Sequence, residues 1–252
     1  MHIVQPTFEI YDANRVMRNI ERGARICYKS EDKIGPGSDA AIIEKILTPK
    51  HGIKHESVLE HGVISVIMVF DRGVSHEVVR HRVAAFSQES TRYCNYSKDK
   101  YGNRISVIAP FFFDPEEPAL PVQAPTFVPD STNKRGVAAS YIMATMNSFD
   151  VWVVSMLTAE WAYTTLTGTF GRSAQEARSV LPNSLKTEME ITANVREWRH
   201  ILTLRTGRDA HPQIRQVMVP LGHALAQRWP VLFGEFAAAT HDCPAVETTS
   251  AA

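Results

Sequence analysis

Eight consecutive residues, Val63 to Phe70 (VISVIMVF), are apolar or β-branched with a single serine among them. Such a run reads as a strand buried on both faces. Around it lie further strand segments, at Ile105 to Ala109 and Lys186 to Thr192, and several helical patterns. This mixture predicts an α/β (α+β) fold, with residues 1–243 as a single domain.

The helical patterns are read from apolar spacing and from end signals. Asp12 to Tyr28 is predicted helical, with Val16, Ile20, Ala24 and Cys27 inward and Asp12 as cap. Ser38 to Leu47 follows the Pro36-Gly37 turn, with Ser38 or Asp39 as cap and Ile42, Ile43, Ile46 and Leu47 inward. Ser75 to His81 and Ala174 to Val180 read as short helices, the second stopped by Pro182. Asn194 to Leu204 and Pro212 to Arg228 read as longer ones, with Pro220 expected to kink or split the latter. Pro110 to Arg135 is rich in proline and acids, and reads as a loop or insertion rather than a packed element. A long helix is expected over Val137 to Thr165. Pro244 to Ala252 reads as a frayed, flexible tail.

Composition excludes several classes. Lys and Arg number 27, as do Asp and Glu, so no global field favours nucleic acid or a membrane surface. An anion site must be a local cluster of arginines. The apolar stretch Val137 to Leu166 is interrupted by Asn147, Asp150 and Glu160, which suits a buried or interface helix better than a membrane span. No signal peptide is visible at the N-terminus. Cys27, Cys94 and Cys243 form no CxxC pair, and reduced thiols in a cytoplasmic protein are expected.

The densest chemistry lies between Arg80 and Ser97. Arg80, His81, Arg82 and Arg92 are interleaved with Ser87, Gln88, Glu89, Ser90 and Thr91. Guanidinium groups present planar forks of donors that match phosphate and carbonyl oxygens. The alternative is a solvated ion-pair network with Glu77 and Glu89 as partners. A second cluster spans Asn194 to Arg205. On a helix, Trp198, Ile201, Leu202 and Arg205 share one apolar side. A desolvated guanidinium there needs an anion or several acceptors. Its partner is either an internal carboxylate such as Glu176 or a ligand oxygen. Arg196 and His200 form a polar i, i+4 pair on the same helix.

Arg80-His81-Arg82, seven residues and then Ser90 match the RHR-x7-S signature of the flavin-dependent thymidylate synthases. The stretch SQESTRYCNYS is similar to that family through Ser97. His55-Glu56 to Glu60-His61 resembles its HE-x-x-x-EH segment, and Ala177-Arg178 to Leu181-Pro182 its A-R-x-x-L-P turn. Asn194 to His200 with Leu204-Arg205 resembles its N-x-R-x-W-R-H and L-R segment. The order is the family's, and the resemblance covers roughly residues 10 to 235.

The resemblance implies a central mixed sheet flanked by helices, and an FAD-dependent methyltransferase of dTMP biosynthesis. It would convert dUMP to dTMP with 5,10-methylenetetrahydrofolate as carbon donor and hydride passed from NADPH through FAD. A homotetramer with active sites shared between subunits is implied as well. By position, His61, Val63, Arg80, His81, Arg82, Gln88, Asn194, Arg196 and His200 would contact FAD. Glu77, Arg80, Gln88, Glu89, Ser90, Thr91, Arg92, Arg178 and Arg205 would contact dUMP, with Arg178 from a different subunit. Arg205 would be catalytic, polarising the uracil ring as charge grows on it.

Glu77 departs from the glutamine of many relatives, and a carboxylate there needs neutralising by Arg80 or Arg92 to sit near a phosphate. Ser90 reads as a phosphate ligand more readily than as a nucleophile, since no histidine base is assigned beside it. Cys94 reads as structural. His51, His55, His61, His76 and His81 lack HExxH spacing, and no metal is expected. Two rivals stay open: a relative with an altered product, such as a hydroxymethylated nucleotide, and a non-enzymatic flavin- or nucleotide-binding module.

Overall fold

The computed structural model of the chain describes residues 1–11, 13–49, 54–129, 137–238 and 247–248. The expected cap Asp12 and the metal candidate His51 lie outside them, as does Cys243. Within the tail expected from Pro244, Glu247–Thr248 pairs with Thr7–Phe8.

In chain order the elements are β1 (His2–Val4), β2 (Thr7–Tyr11), α1 (Val16–Tyr28), α2 (Ser38–Leu47), β3 (Val63–Asp71), α3 (Arg72–Val78), β4 (Ala84–Gln88), β5 (Ser106–Ile108), β6 (Leu120–Pro129), β7 (Val137–Met146), α4 (Ser148–Thr164), α5 (Ala174–Ala177), β8 (Lys186–Asn194), α6 (Val195–Arg205), α7 (Pro212–Arg228), α8 (Pro230–Phe233) and β9 (Glu247–Thr248). The main sheet has the order β4-β8-β3-β2-β9. Only its β2–β9 pair is parallel, so it is the mixed sheet the resemblance implies.

The VISVIMVF run is the centre of that sheet, but it is sealed on one face only. Ile64, Val66, Met68 and Phe70 are buried, while Ser65, Ile67 and Val69 on the other face are half-buried and Val63 is exposed. Successive side chains of a strand point to opposite faces, so the covered face belongs to alternate residues. On β8 the matching residues are Ala193, Ile191, Met189 and Thr187, each directly opposite its buried partner on β3. Helices α1, α2, α6, α7 and α8 supply the apolar residues that cover this face. The other face carries polar pairs such as Ser65 with Thr192, hydroxyl to hydroxyl at 2.7 Å.

Most elements fall where spacing predicts them. Three do not. The expected long helix from Val137 begins only at Ser148. There Asn147 and Asp150 form a reciprocal capping box, which fixes the start. Residues Val137–Met146 instead pair antiparallel with Leu120–Pro129, so much of the expected loop is a β-ribbon. Pro121, Pro125 and Pro129 recur at spacing four. That spacing turns all three imide nitrogens to the same edge of the strand. Third, α7 runs unbroken through Pro220. Val217, Met218, Val219 and Leu221 are buried around it, and their packing outweighs the lost backbone bond.

α3 also lies earlier than the expected Ser75 to His81, because Asp71 caps it by accepting from the Val74 N–H at 2.8 Å. α4 is apolar on every side. Trp152, Met156 and Tyr163 pack into a second core cluster with Tyr96, Ile105 and Leu185, whereas Val151, Val154, Leu157 and Trp161 are exposed. Among the described residues no helix is long and apolar enough to cross a membrane.

Trp198 ties α6 to the sheet. It is fully buried, and its indole N–H donates to the Ile64 carbonyl at 2.9 Å. Trp198→Phe should cost about 1–3 kcal/mol, because a buried carbonyl is left unpaired. Trp198→Ala should cost about 3–5 kcal/mol through the added cavity. Urea unfolding midpoints measure both, and an unchanged midpoint for Trp198→Ala would contradict this placement.

Candidate active site

The register of β8 gathers segments that are distant in sequence. It places Asn194 opposite Val63, and Ala193 opposite both Ile64 and Ala84. The start of β3, the end of β8 and the entry to β4 therefore share one end of the sheet. Arg80-His81-Arg82 leads into β4 there, and α6 departs from it. The Asn194 side chain caps α6, accepting from the Glu197 N–H at 2.8 Å. His61, just before β3, packs against Gly23 of α1. A Cβ at that glycine would come within 2.5 Å of His61 Cδ2, so a larger residue there would have to push the His61 ring aside.

The closest cluster at this end is Glu77, His81 and Arg205. Arg205 Nε donates to His81 Nε2 at 3.0 Å, Nη1 to Glu77 Oε2 at 2.9 Å and Nη2 to the Glu77 carbonyl at 3.0 Å. The Arg205 side chain retains 19% of its exposure, so these acceptors meet a largely desolvated cation. The internal carboxylate that Arg205 needs is thus Glu77, not Glu176. Glu176 instead caps α5 through Ser173 and faces Arg172. Neutralisation of Glu77 likewise comes from Arg205, not from Arg80 or Arg92.

His81 is buried, with its Nδ1 turned to Glu197 Oε1 at 3.7 Å and its ring edge-on to His200. Burial, then the Arg205 and His200 charges, hold its pKa down at about 4. The ring is neutral at pH 7. Because Nε2 accepts from a guanidinium, its proton resides on Nδ1.

His81, Glu197 and His200 bring three ligand atoms within 4.8 Å of one another, the kind of set that can hold a metal ion. The tautomer opposes this use. A cation would have to displace the Nδ1 proton and lie one imidazole ring away from the Arg205 charge.

Asn194, Arg196 and His200 line an open groove of about 480 Å³ together with Val83, Glu197 and Glu60. Val83 and Glu197 went unnoticed in the sequence, although Glu197 stands three residues from both Asn194 and His200. Arg196 pairs with Glu60 at 2.7 Å, both half in solvent. Such a pair contributes little to stability and leaves the arginine available.

The opposite end of β4 holds the other expected residues. The Gln88 amide donates to Ser75 Oγ at 2.9 Å and Thr187 Oγ1 at 3.1 Å. Glu89 accepts from the Tyr96 hydroxyl and from Lys186 Nζ, each at 3.0 Å. These internal partners hold the turn that follows, in which Thr91 is buried and Ser90 Oγ accepts from the Arg92 N–H at 3.3 Å. The alternative network, in which Arg80, Arg82 and Arg92 pair with Glu77 and Glu89, does not form among the described residues. Arg80, Arg82, Arg92 and Arg178 are exposed, and none joins an ion pair among the described residues. No groove described in the single chain contains them with Arg205.

The His81 environment sets a pH dependence. Its folded pKa of about 4 lies below the ordinary 6.5, so the unfolded chain takes up its proton first as pH falls. The His81 contribution is intact above pH 6.5 and is lost as pH falls towards 4. The full shift corresponds to a loss of roughly 3 kcal/mol. In His81→Asn that part of the pH dependence should vanish. Unfolding midpoints measured between pH 7 and pH 4.5 test it, and parallel curves for both proteins would contradict it.

Comparison with known proteins identifies the family. Residues 10–231 match the family described as thymidylate synthase complementing protein. The flavin-dependent thymidylate synthase of Corynebacterium aurimucosum is 30% identical over 222 residues, covering 86% of this chain and 78% of that protein. That of Corynebacterium efficiens is 29% identical over 228 residues, covering 89% and 81%. Thymidylate synthase X of Helicobacter pylori, crystallised with FAD and dUMP, shares the fold with a TM-score of 0.61 at 20% identity, over 93% of this chain and 99% of that one. The UMP/dUMP methylase PolB of Streptomyces cacaoi, bound with 5-Br dUMP, gives 0.65 at 23% identity, over 94% and 97%. The chain belongs to the thymidylate synthase complementing protein family, the flavin-dependent thymidylate synthases.

Proposed function

We propose that this protein is an FAD-dependent methyltransferase that converts dUMP to dTMP, with 5,10-methylenetetrahydrofolate as carbon donor and NADPH as reductant. One observation carries the reading. The histidine of the RHR motif and the arginine that closes the second motif meet at hydrogen-bond distance across 124 residues of sequence. Two motifs singled out independently thus build one polar centre at the end of an apolar helix face.

The groove beside α6 suits part of a flavin nucleotide. His200, Arg196 and the free amide N–H groups of Asn194 offer donors to a heterocycle and to anionic oxygens. Its carboxylates Glu56, Glu60, Glu197 and Glu235 outnumber Arg196 and Arg199, so a diphosphate calls for more guanidinium. Arg80 and Arg82, directly before Val83 of the groove wall, would supply it, and His61 and Val63 would contact the flavin. When bound, reduced FAD supplies the hydride that makes uracil C5 nucleophilic towards the folate methylene carbon.

The chain's own work is electrostatic. Arg205 donates to a uracil oxygen as negative charge grows on the ring, in a setting where low dielectric strengthens the contact. Ser90, Arg92 and, from another copy, Arg178 take the phosphate. Gln88 and Glu89 hold the Ser90 turn through Ser75, Thr187, Tyr96 and Lys186. Purified protein should carry yellow, dithionite-bleachable FAD and form dTMP only with all three substrates present. Arg205→Ala should lose about 10²–10³ in turnover while retaining its flavin. Colourless protein that takes up no FAD, or product formed equally well without dUMP, would sink the proposal. Offering UMP beside dUMP, with mass analysis of the product, separates a relative with altered output.

A homotetramer with shared sites accounts for what the single chain leaves open. Val151, Val154, Leu157 and Trp161 line the outer side of α4, with Trp161 67% exposed. A contiguous apolar face of this kind marks an association surface. In this reading the surface apposes copies so that Arg178 of one completes the site of another. Trp161→Glu should reduce the mass in light scattering to that of smaller species and abolish dTMP formation. A fully assembled, active variant would contradict this role for α4.

A further inference from the structure

We propose that Glu77 and His81 are positioning residues for Arg205, and that Glu77 makes this end of the site select an uncharged carbonyl rather than a phosphate. The inference deepens the reading of Arg205 as the uracil donor, and rests on it.

Arg205 ends in a guanidinium. It has five N–H groups, and the contacts with His81 and with the Glu77 carboxylate and carbonyl use three, one on each nitrogen. Contacts at all three nitrogens fix the plane of the group, since rotation about any bond of the side chain would break at least one. Two N–H groups remain, one on each terminal nitrogen. These are the donors that a ligand can meet, and their direction is set before it arrives.

The supports are themselves fixed. Glu77 stands in the last turn of α3, whose start is held by Asp71. The Asp71 carboxylate caps that helix through Oδ1 and accepts from Gln213 Nε2 at 3.1 Å through Oδ2. His81 has one available orientation as acceptor, because its Nδ1–H faces Glu197. The chain Glu197, His81, Arg205 and Glu77 thus runs from the first turn of α6 to its last residue and across to α3.

Charge then decides what the two remaining donors accept. Glu77 lies 2.9 Å from the guanidinium, so the pair is neutral as a unit. A dianionic phosphate gains little from a cation already compensated and is repelled by the carboxylate beside it. A heterocycle carbonyl still gains an oriented donor. The exposed arginines outside this pair, Arg92 and Arg178 among them, keep the uncompensated charge a phosphate needs. Glu77 therefore separates the two halves of a nucleotide, base to Arg205 and phosphate to the exterior.

Calorimetric titration of the FAD-loaded protein with deoxyuridine and with inorganic phosphate reads this directly, beside turnover and flavin absorbance. Glu77→Gln keeps an acceptor in nearly the same shape and removes the charge. It should bind phosphate about tenfold more tightly than wild type, with deoxyuridine affinity unchanged within about threefold. Glu77→Ala should lower turnover about 10²-fold at full flavin content, with a smaller change in KM for dUMP. His81→Asn should restore part of what His81→Ala loses, both keeping FAD. Unchanged phosphate affinity in Glu77→Gln together with normal turnover in Glu77→Ala would overturn the proposal for Glu77. Loss of FAD in proportion to activity in both His81 variants would overturn it for His81. Wild-type protein with neither FAD nor dUMP-dependent turnover would instead defeat the functional reading beneath it.

Discussion

A guanidinium at the end of an apolar helix face must find acceptors, and much of this site follows from where the Arg205 acceptors come from. They are not on its own helix. One is the ring of His81, in the segment leading into β4, and two belong to Glu77 in α3. Meeting them requires the end of α3, the start of β4 and the end of α6 to lie together. That in turn requires β8 to lie between β3 and β4 in the observed register. The burial of Trp198, Ile201 and Leu202 holds α6 down on the sheet while its last residue meets polar partners. Apolar packing supplies the stability here, and the polar cluster specifies one geometry among those packing alone would allow.

The single chain carries one half of this chemistry in finished form. The Arg205 cluster and the groove around Asn194 and His200 are closely linked through His81. Arg92 and Arg178 are exposed, and neither joins an ion pair among the described residues. An exposed apolar face on α4 lies on the same molecule. In the proposed assembly, one interface would bury α4 and bring a ligand phosphate to the outlying arginines, which would account for both features together.

The parts legible in the sequence are those where local and tertiary signals agree. VISVIMVF became β3, the Ser38 segment became α2 and the Asn194 segment became α6, because spacing and burial favour the same state, although α2 starts from Gly37 with no side-chain cap rather than from Ser38 or Asp39. The boundary at Asn147 was missed because Val137 to Met146 is as apolar as the helix after it, and only the capping box separates them. β1 and β2 were missed as well. They are short strands of mixed polarity, defined by partners more than 50 residues away in sequence. At the site, the RHR segment and Arg205 stood out by residue type. The Glu77–Arg205 pair could not be read, because it joins residues 128 apart that share no periodicity. Glu197 could have been found from its spacing to Asn194 and His200.

The central claim is that Arg205 is held ready for a carbonyl by Glu77 and His81. The most direct measurement is a crystal structure of the FAD-loaded protein with dUMP bound. The account predicts Arg205 unmoved, both supports intact, a uracil oxygen on one of its two remaining N–H groups and the phosphate among exposed arginines. Arg205 swung away from Glu77 to grip the phosphate, or a pyrimidine bound remote from α6, would contradict it.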